Sequence, residues 1–150
     1  MLFRSNTHGR RNTFIGYSSG SNNNIGRYNT FLGHFSGQGN TSGCYNTFIG
    51  HYVGRCNTTG SFNIFIGCCA GANVTIGANN TIIGSLLASN ASIQSTVLIG
   101  AGTCERIKVN NAGLYVNNTL ANLSGAALTT QKNFLVVDAC AITSTGCHNT

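Results

Sequence analysis

The chain has 150 residues, 41% hydrophobic and 9% aromatic, which is enough for one folded domain and too apolar for a disordered segment. Only 7% of residues are charged, and the net charge of +6 reflects missing acids more than added bases, since Lys and Arg total eight. Glu105 and Asp138 are the only carboxylate side chains, so the paired carboxylates of a glycosidase are not in view, and no nucleophile triad, phosphate-binding Gly loop or dinucleotide fingerprint occurs.

In chain order, the first feature is a repeat. Asn12-Thr13-Phe14-Ile15-Gly16 recurs as Asn29-Thr30-Phe31-Leu32-Gly33, Asn46-Thr47-Phe48-Ile49-Gly50, Asn63-Ile64-Phe65-Ile66-Gly67 and Asn80-Thr81-Ile82-Ile83-Gly84, at a step of 17 residues. A sixth copy, Thr96-Val97-Leu98-Ile99-Gly100, follows after 16. Gly20, Gly37, Gly54 and Gly71 keep the same phase, as do Gly9, Gly26, Gly43, Gly60 and Gly77. Each unit reads as a short strand, a Gly turn, a small-residue stretch and a second short strand such as Asn57-Thr58-Thr59. The expected fold is all-β: a β-solenoid of about six coils over residues 1–100, rising about 4.8 Å per coil.

Stacked coils place like residues above one another. Asn12, Asn29, Asn46, Asn63 and Asn80 form one expected amide ladder, and Asn23, Asn40 and Asn57 a second. Adjacent strand residues face opposite ways, so the Phe column (Phe14, Phe31, Phe48, Phe65) and the Ile/Leu column (Ile15, Leu32, Ile49, Ile66, Ile83, Ile99) cannot share a side. The expectation is that the Phe column faces outward and assembles against another chain, because four rings left in water forgo about 6–12 kcal/mol in sum.

From Ala101 the period lapses, and residues 101–142 read as a non-repeating spacer or cap. Ile107-Lys108-Val109 and Leu114-Tyr115-Val116 flank a four-residue loop, Asn110 to Gly113, as a β-hairpin. Asn117 to Thr130 reads as a loop, and Phe134 to Asp138 as a strand. Residues 143–150 open a fresh repeat, since Gly146-Cys147-His148-Asn149-Thr150 matches Gly43-Cys44-Tyr45-Asn46-Thr47, and Asn6 to Gly9 matches Asn40 to Gly43. Unfinished coils at both ends suggest either a window of a longer repeat or head-to-tail stacking into a filament.

Seven cysteines, Cys44, Cys56, Cys68, Cys69, Cys104, Cys140 and Cys147, favour an oxidising setting and at least one disulfide. The repeat puts Cys44, Cys56, Cys68 and Cys69 in different columns, and Cys68 and Cys69 face opposite ways on any strand. His34, His51 and Cys68 share a column, but without supporting ligand spacing no metal site is assigned, and no catalytic residue and no cofactor. Glycosylation sequons begin at Asn40, Asn57, Asn73, Asn79, Asn90, Asn117 and Asn122. Arg4, Arg10, Arg11 and Arg27 gather near the start without interleaved aromatics and read as a solvated edge, so nucleic acid is not an expected partner. No apolar signal region or bilayer-length run is present.

The units Asn12-Thr13-Phe14-Ile15-Gly16 to Gly20 and Asn57-Thr58-Thr59-Gly60 to Asn63 resemble the NT-x-(I/L)-G repeats of phage and viral tail-fibre-like proteins and of some bacterial surface proteins, over about residues 6–100. Phe stands where those repeats more usually carry a small residue. The resemblance implies an elongated, often trimeric fibre shaft and no catalytic residue. The expected function is therefore a structural fibre or filament subunit, extracellular or on a virion surface, with itself as partner. The other reading is an adhesin or receptor- and glycan-binding tail-fibre module, with recognition in the non-repeating region.

Overall fold

The computed structural model of the chain describes residues 7–88, 90–101, 104–116 and 119–120. These form one nine-stranded sheet in strict sequence order and, among the described residues, no helix. Strands β1 (Thr13–Ile15), β2 (Thr30–Leu32), β3 (Thr47–Ile49), β4 (Ile64–Ile66), β5 (Thr81–Ile83) and β6 (Val97–Ala101) are parallel. Thr13 pairs with Thr30, Phe14 with Phe31 and Ile15 with Leu32, and each later rung repeats the pairing. The fold is a β-solenoid of about five turns with a 17-residue period.

The Phe column faces inward, so the expected outward, chain-to-chain role of Phe14, Phe31, Phe48 and Phe65 is corrected. Phe31, Phe48 and Phe65 are completely buried within their own chain, and Phe14 nearly so. Their rings stack along the axis with centroids 4.9 Å apart, and Ile82 and Leu98 continue the column. The physical reason lies across the coil, in Gly20, Gly37, Gly54 and Gly71. Each adopts a positive φ of 54–59°, and a Cβ there would stand 2.5–2.6 Å from the Phe ring of the same coil. The absent side chain makes the space that the ring fills. The aliphatic column takes the outer face instead, with Ile15 54% and Leu32 42% exposed.

Two further expectations shift. The segments at Asn57-Thr58-Thr59 and its equivalents are bends, not strands, because the Thr58 and Thr59 amides both donate to the Thr75 carbonyl and no ladder can continue from a shared acceptor. Beyond β6 the sheet turns antiparallel through β7 (Cys104–Asn110), β8 (Gly113–Val116) and β9 (Thr119–Leu120). The β7–β8 hairpin closes at the Asn110–Gly113 pair, so its loop has two residues, Asn111 and Ala112, where four were expected. β7 thereby covers the free edge of β6. The strand expected over Phe134 to Asp138 and the repeat expected over 143–150 lie outside the described residues.

Candidate functional site

The polar interior is organised by two amide ladders joined at shared carbonyls. In the first, each Asn side-chain oxygen accepts the backbone amide of the next Asn: Asn29 N to Asn12 Oδ1 is 2.9 Å, Asn46 to Asn29 2.9 Å, Asn63 to Asn46 3.0 Å and Asn80 to Asn63 3.1 Å. The Asn12, Asn29, Asn46 and Asn63 amides donate at 2.8 Å to the Gly26, Gly43, Gly60 and Gly77 carbonyls. In the second ladder the side chains bond directly, Asn40 Nδ2 to Asn23 Oδ1 at 2.7 Å and Asn57 Nδ2 to Asn40 Oδ1 at 2.9 Å. These side chains also donate to the Gly26, Gly43 and Gly60 carbonyls, so each of those oxygens uses both lone pairs.

The second ladder stops at Asn57, whose buried Oδ1 has no partner among the described residues. The next rung carries Val74, which has no donor to offer. That unsatisfied acceptor costs about 1–3 kcal/mol. The sequence shows the ending as the change from Asn to Val at that phase.

This geometry also corrects the glycosylation expectation at Asn40 and Asn57, which are completely buried with their amide nitrogens engaged in the ladder. Asn73 is half-buried and locked by a reciprocal pair with Ala88, 2.7 and 2.9 Å. Asn79 and Asn90 are exposed, while Asn117 and Asn122 lie outside the described residues.

On the outside, residues at alternate positions form four columns across one face. The outermost is Arg11, Tyr28, Tyr45 and Phe62, all in the left-handed region with φ 58–59°. Bulky side chains rarely adopt that conformation, and each such residue carries about 1–3 kcal/mol of strain. It is held by a backbone bond down the axis, as from Tyr28 N to the Arg10 carbonyl at 3.1 Å, and by stacking. The Tyr28, Tyr45 and Phe62 rings are nearly parallel and stacked, with centroids 4.7 and 4.9 Å apart, and the Arg11 guanidinium closes the first ring face while also hydrogen-bonding the Tyr28 hydroxyl. Inward of this ridge run the Thr13, Thr30, Thr47, Ile64, Thr81 column and the Ile15, Leu32, Ile49, Ile66, Ile83 column.

The fourth column is Tyr17, His34, His51 and Cys68, with Phe35, Tyr52 and Cys69 beside it. Tyr17–His34 and His34–His51 stack at 5.4 and 5.1 Å, Phe35–Tyr52 at 5.0 Å, and each His meets its neighbouring ring edge-on at 4.2 Å. In both ridges successive rings cover one another's faces along the axis, and the terminal rings Tyr17 and Phe62 are exposed. No group of three or more His, Cys, Asp or Glu side chains converges among the described residues, so His34, His51 and Cys68 do not assemble as ligands.

Cys44, Cys56, Cys68 and Cys69 are free thiols, which leaves no disulfide among them. Cys104 has only its strand position described, and Cys140 and Cys147 lie outside the described residues. Cys68 and Cys69 do not diverge as strand neighbours would, because they occupy a corner where Cys69 has φ 59°, and their Sγ atoms are 3.5 Å apart. The hydrogen bond with Cys68, together with burial and the charge of Cys68, pushes the Cys69 thiol above its ordinary value against the opposing charge of Arg55. No described helix is long and apolar enough to cross a membrane. The sequence matches no protein-family model, and neither the curated proteins nor the solved structures contain a match to it.

Proposed function

We propose that the chain is a structural shaft segment of a fibre or filament, extracellular or on a virion surface, that associates sideways with copies of itself. The observation that supports this reading is the shared axial register of two amide ladders, a buried Phe stack and two surface aromatic ladders, which suits a stiff rod with little charge. The face available for association is the flat band of Thr and Ile/Leu columns between the ridges, in place of the Phe column. The band is six rungs at about 4.8 Å by three strand residues at about 3.3 Å, about 290 Å² per chain, so a pair buries about 600 Å² on the band alone and reaches the roughly 1,200 Å² of specific interfaces where the flanking ridges also touch. A second copy has the same rung spacing, and its outward side chains fit between those of the first.

The double substitution Leu32→Lys and Ile66→Lys tests this, because both side chains point outward and the coil can fold without them. In sedimentation velocity the unsubstituted protein is expected to form a concentration-dependent oligomer of rod-like frictional ratio, and the variant to be a monomer with an unchanged circular dichroism spectrum. An unsubstituted protein that stays monomeric throughout the micromolar range, or a variant that assembles equally well, contradicts the lateral association.

A further inference from the structure

The corner that carries Cys68 and Cys69 differs from the others in what lies above it. Between Gly67 and the buried Ala70 the chain has two residues, Cys68 and Cys69, whereas between Gly84 and the equivalent buried Leu86 it has only Ser85. Backbone bonding gives the alignment, since Gly54 N donates to the Ala70 carbonyl and Gly71 N to the Leu86 carbonyl. The column Ser18, Phe35, Tyr52, Cys69 thus ends at Cys69, and the next coil steps past it one residue short. Cys68 is exposed and Cys69 half-buried, with Tyr52 one rung below Cys69 and the Arg55 guanidinium 5.2 Å from the Tyr52 ring centre. The corner backbone is fixed by Cys69 N to the His51 carbonyl at 2.9 Å and Ala72 N to the Cys69 carbonyl at 3.0 Å.

Two sulfurs on consecutive residues, Cys68 exposed and Cys69 half-buried, can close on each other or on a third atom. Closing on each other requires a bond of about 2.05 Å between residues whose Cα atoms lie about 3.8 Å apart, below the usual disulfide range of about 4.4–6.8 Å. Such a ring is strained and easily reduced. A bridging atom with bonds to sulfur of about 2.3 Å, the zinc–thiolate length, and an angle near 100° spans about 3.5 Å, which is the separation found. A divalent metal held by protein alone needs further ligands, and none converges among the described residues.

We propose that Cys68 and Cys69 form a bidentate dithiol site for trivalent arsenic or a like thiophilic centre that takes two sulfurs and brings its own third substituent. With an organoarsenic oxide, the two S–H bonds and the As=O bond are replaced by two As–S bonds, and both protons leave with the oxygen as water. Arsenic remains trivalent, so no oxidant or reductant takes part. The fixed corner makes the second bond intramolecular.

The test uses phenylarsine oxide on the folded full chain, read by intact mass. One adduct per chain, equal to the reagent less one water, is expected at stoichiometric reagent. It should be removed by 2,3-dimercaptopropanol and resist a monothiol in excess. Cys68→Ser and Cys69→Ser should each abolish it, and Cys44→Ser and Cys56→Ser should keep it; serine already occupies these two columns at Ser85 and Ser18. Peptide mapping of the unsubstituted protein adds a readout independent of the variants: the reagent should shield Cys68 and Cys69 from iodoacetamide at least tenfold. Absence of the adduct, its persistence in Cys68→Ser, or shielding of a different cysteine pair overturns the assignment.

Discussion

Replacing Phe48 with alanine is expected to cost about 3–5 kcal/mol of unfolding free energy, a large part of the roughly 5–15 kcal/mol that holds a domain together. Phe48 is completely buried, its ring lies 4.9 Å from both Phe31 and Phe65, and Gly54 faces it without a side chain that could move into the space. The cavity therefore stays open, and its cost is near the upper end for large-to-small changes. Urea unfolding should show the midpoint falling with Phe48→Ala. The neighbouring Ile49→Ala, on the half-buried outer face, should cost about 1 kcal/mol or less under dilute conditions. Equal losses at the two positions contradict an inward Phe column.

The second large effect is expected at Asn46. Asn46→Ala removes the acceptor of the buried Asn63 amide, 3.0 Å away, and one of the two donors to the Gly60 carbonyl. The carbonyl keeps its bond from Asn57, but the Asn63 N–H is left buried without a partner, and the loss should be about 2–4 kcal/mol. Because coils hold each other through nearest-neighbour contacts, the same substitution should speed amide hydrogen exchange in the β3 and β4 rungs first. The exposed Asn22→Ala is the comparison and should shift stability by no more than about 0.5 kcal/mol. A small effect at Asn46, with exchange unchanged, means that the ladder contributes nothing beyond composition.

The period carried most of the fold. Repeats of Asn-Thr-Phe-Ile-Gly at a 17-residue step put Thr13 against Thr30 and Asn12 beneath Asn29, and the structure pairs them so. What the period left open was which way the coil turns its two apolar columns. A three-residue strand such as Thr47-Phe48-Ile49 alternates either way, and both Phe and Ile are apolar. The deciding signal was present six residues on, in the Gly20, Gly37, Gly54 and Gly71 column, but it acts across the coil and has meaning only once the ring and the glycine are seen to face each other. The Cys68–Cys69 pair was hidden for a different reason: strand alternation does not apply at a left-handed corner, and the one-residue shortening between Gly84 and Gly100 shows in the sequence only as a step of 16.

The account rests on a core enclosed by a single chain, and an isotope-filtered NOE experiment reaches that claim most directly. Chains carrying carbon-13 phenylalanine are mixed with unlabelled chains, unfolded together and refolded, so that any assembly contains both kinds. With rings 4.9 Å apart along the axis, the account predicts Phe31–Phe48 and Phe48–Phe65 cross-peaks within labelled chains and none from the Phe31, Phe48 or Phe65 ring to an unlabelled chain. Cross-peaks from the Phe31, Phe48 or Phe65 ring to unlabelled chains, with the intrachain ones missing, place the Phe column at an interface and contradict it.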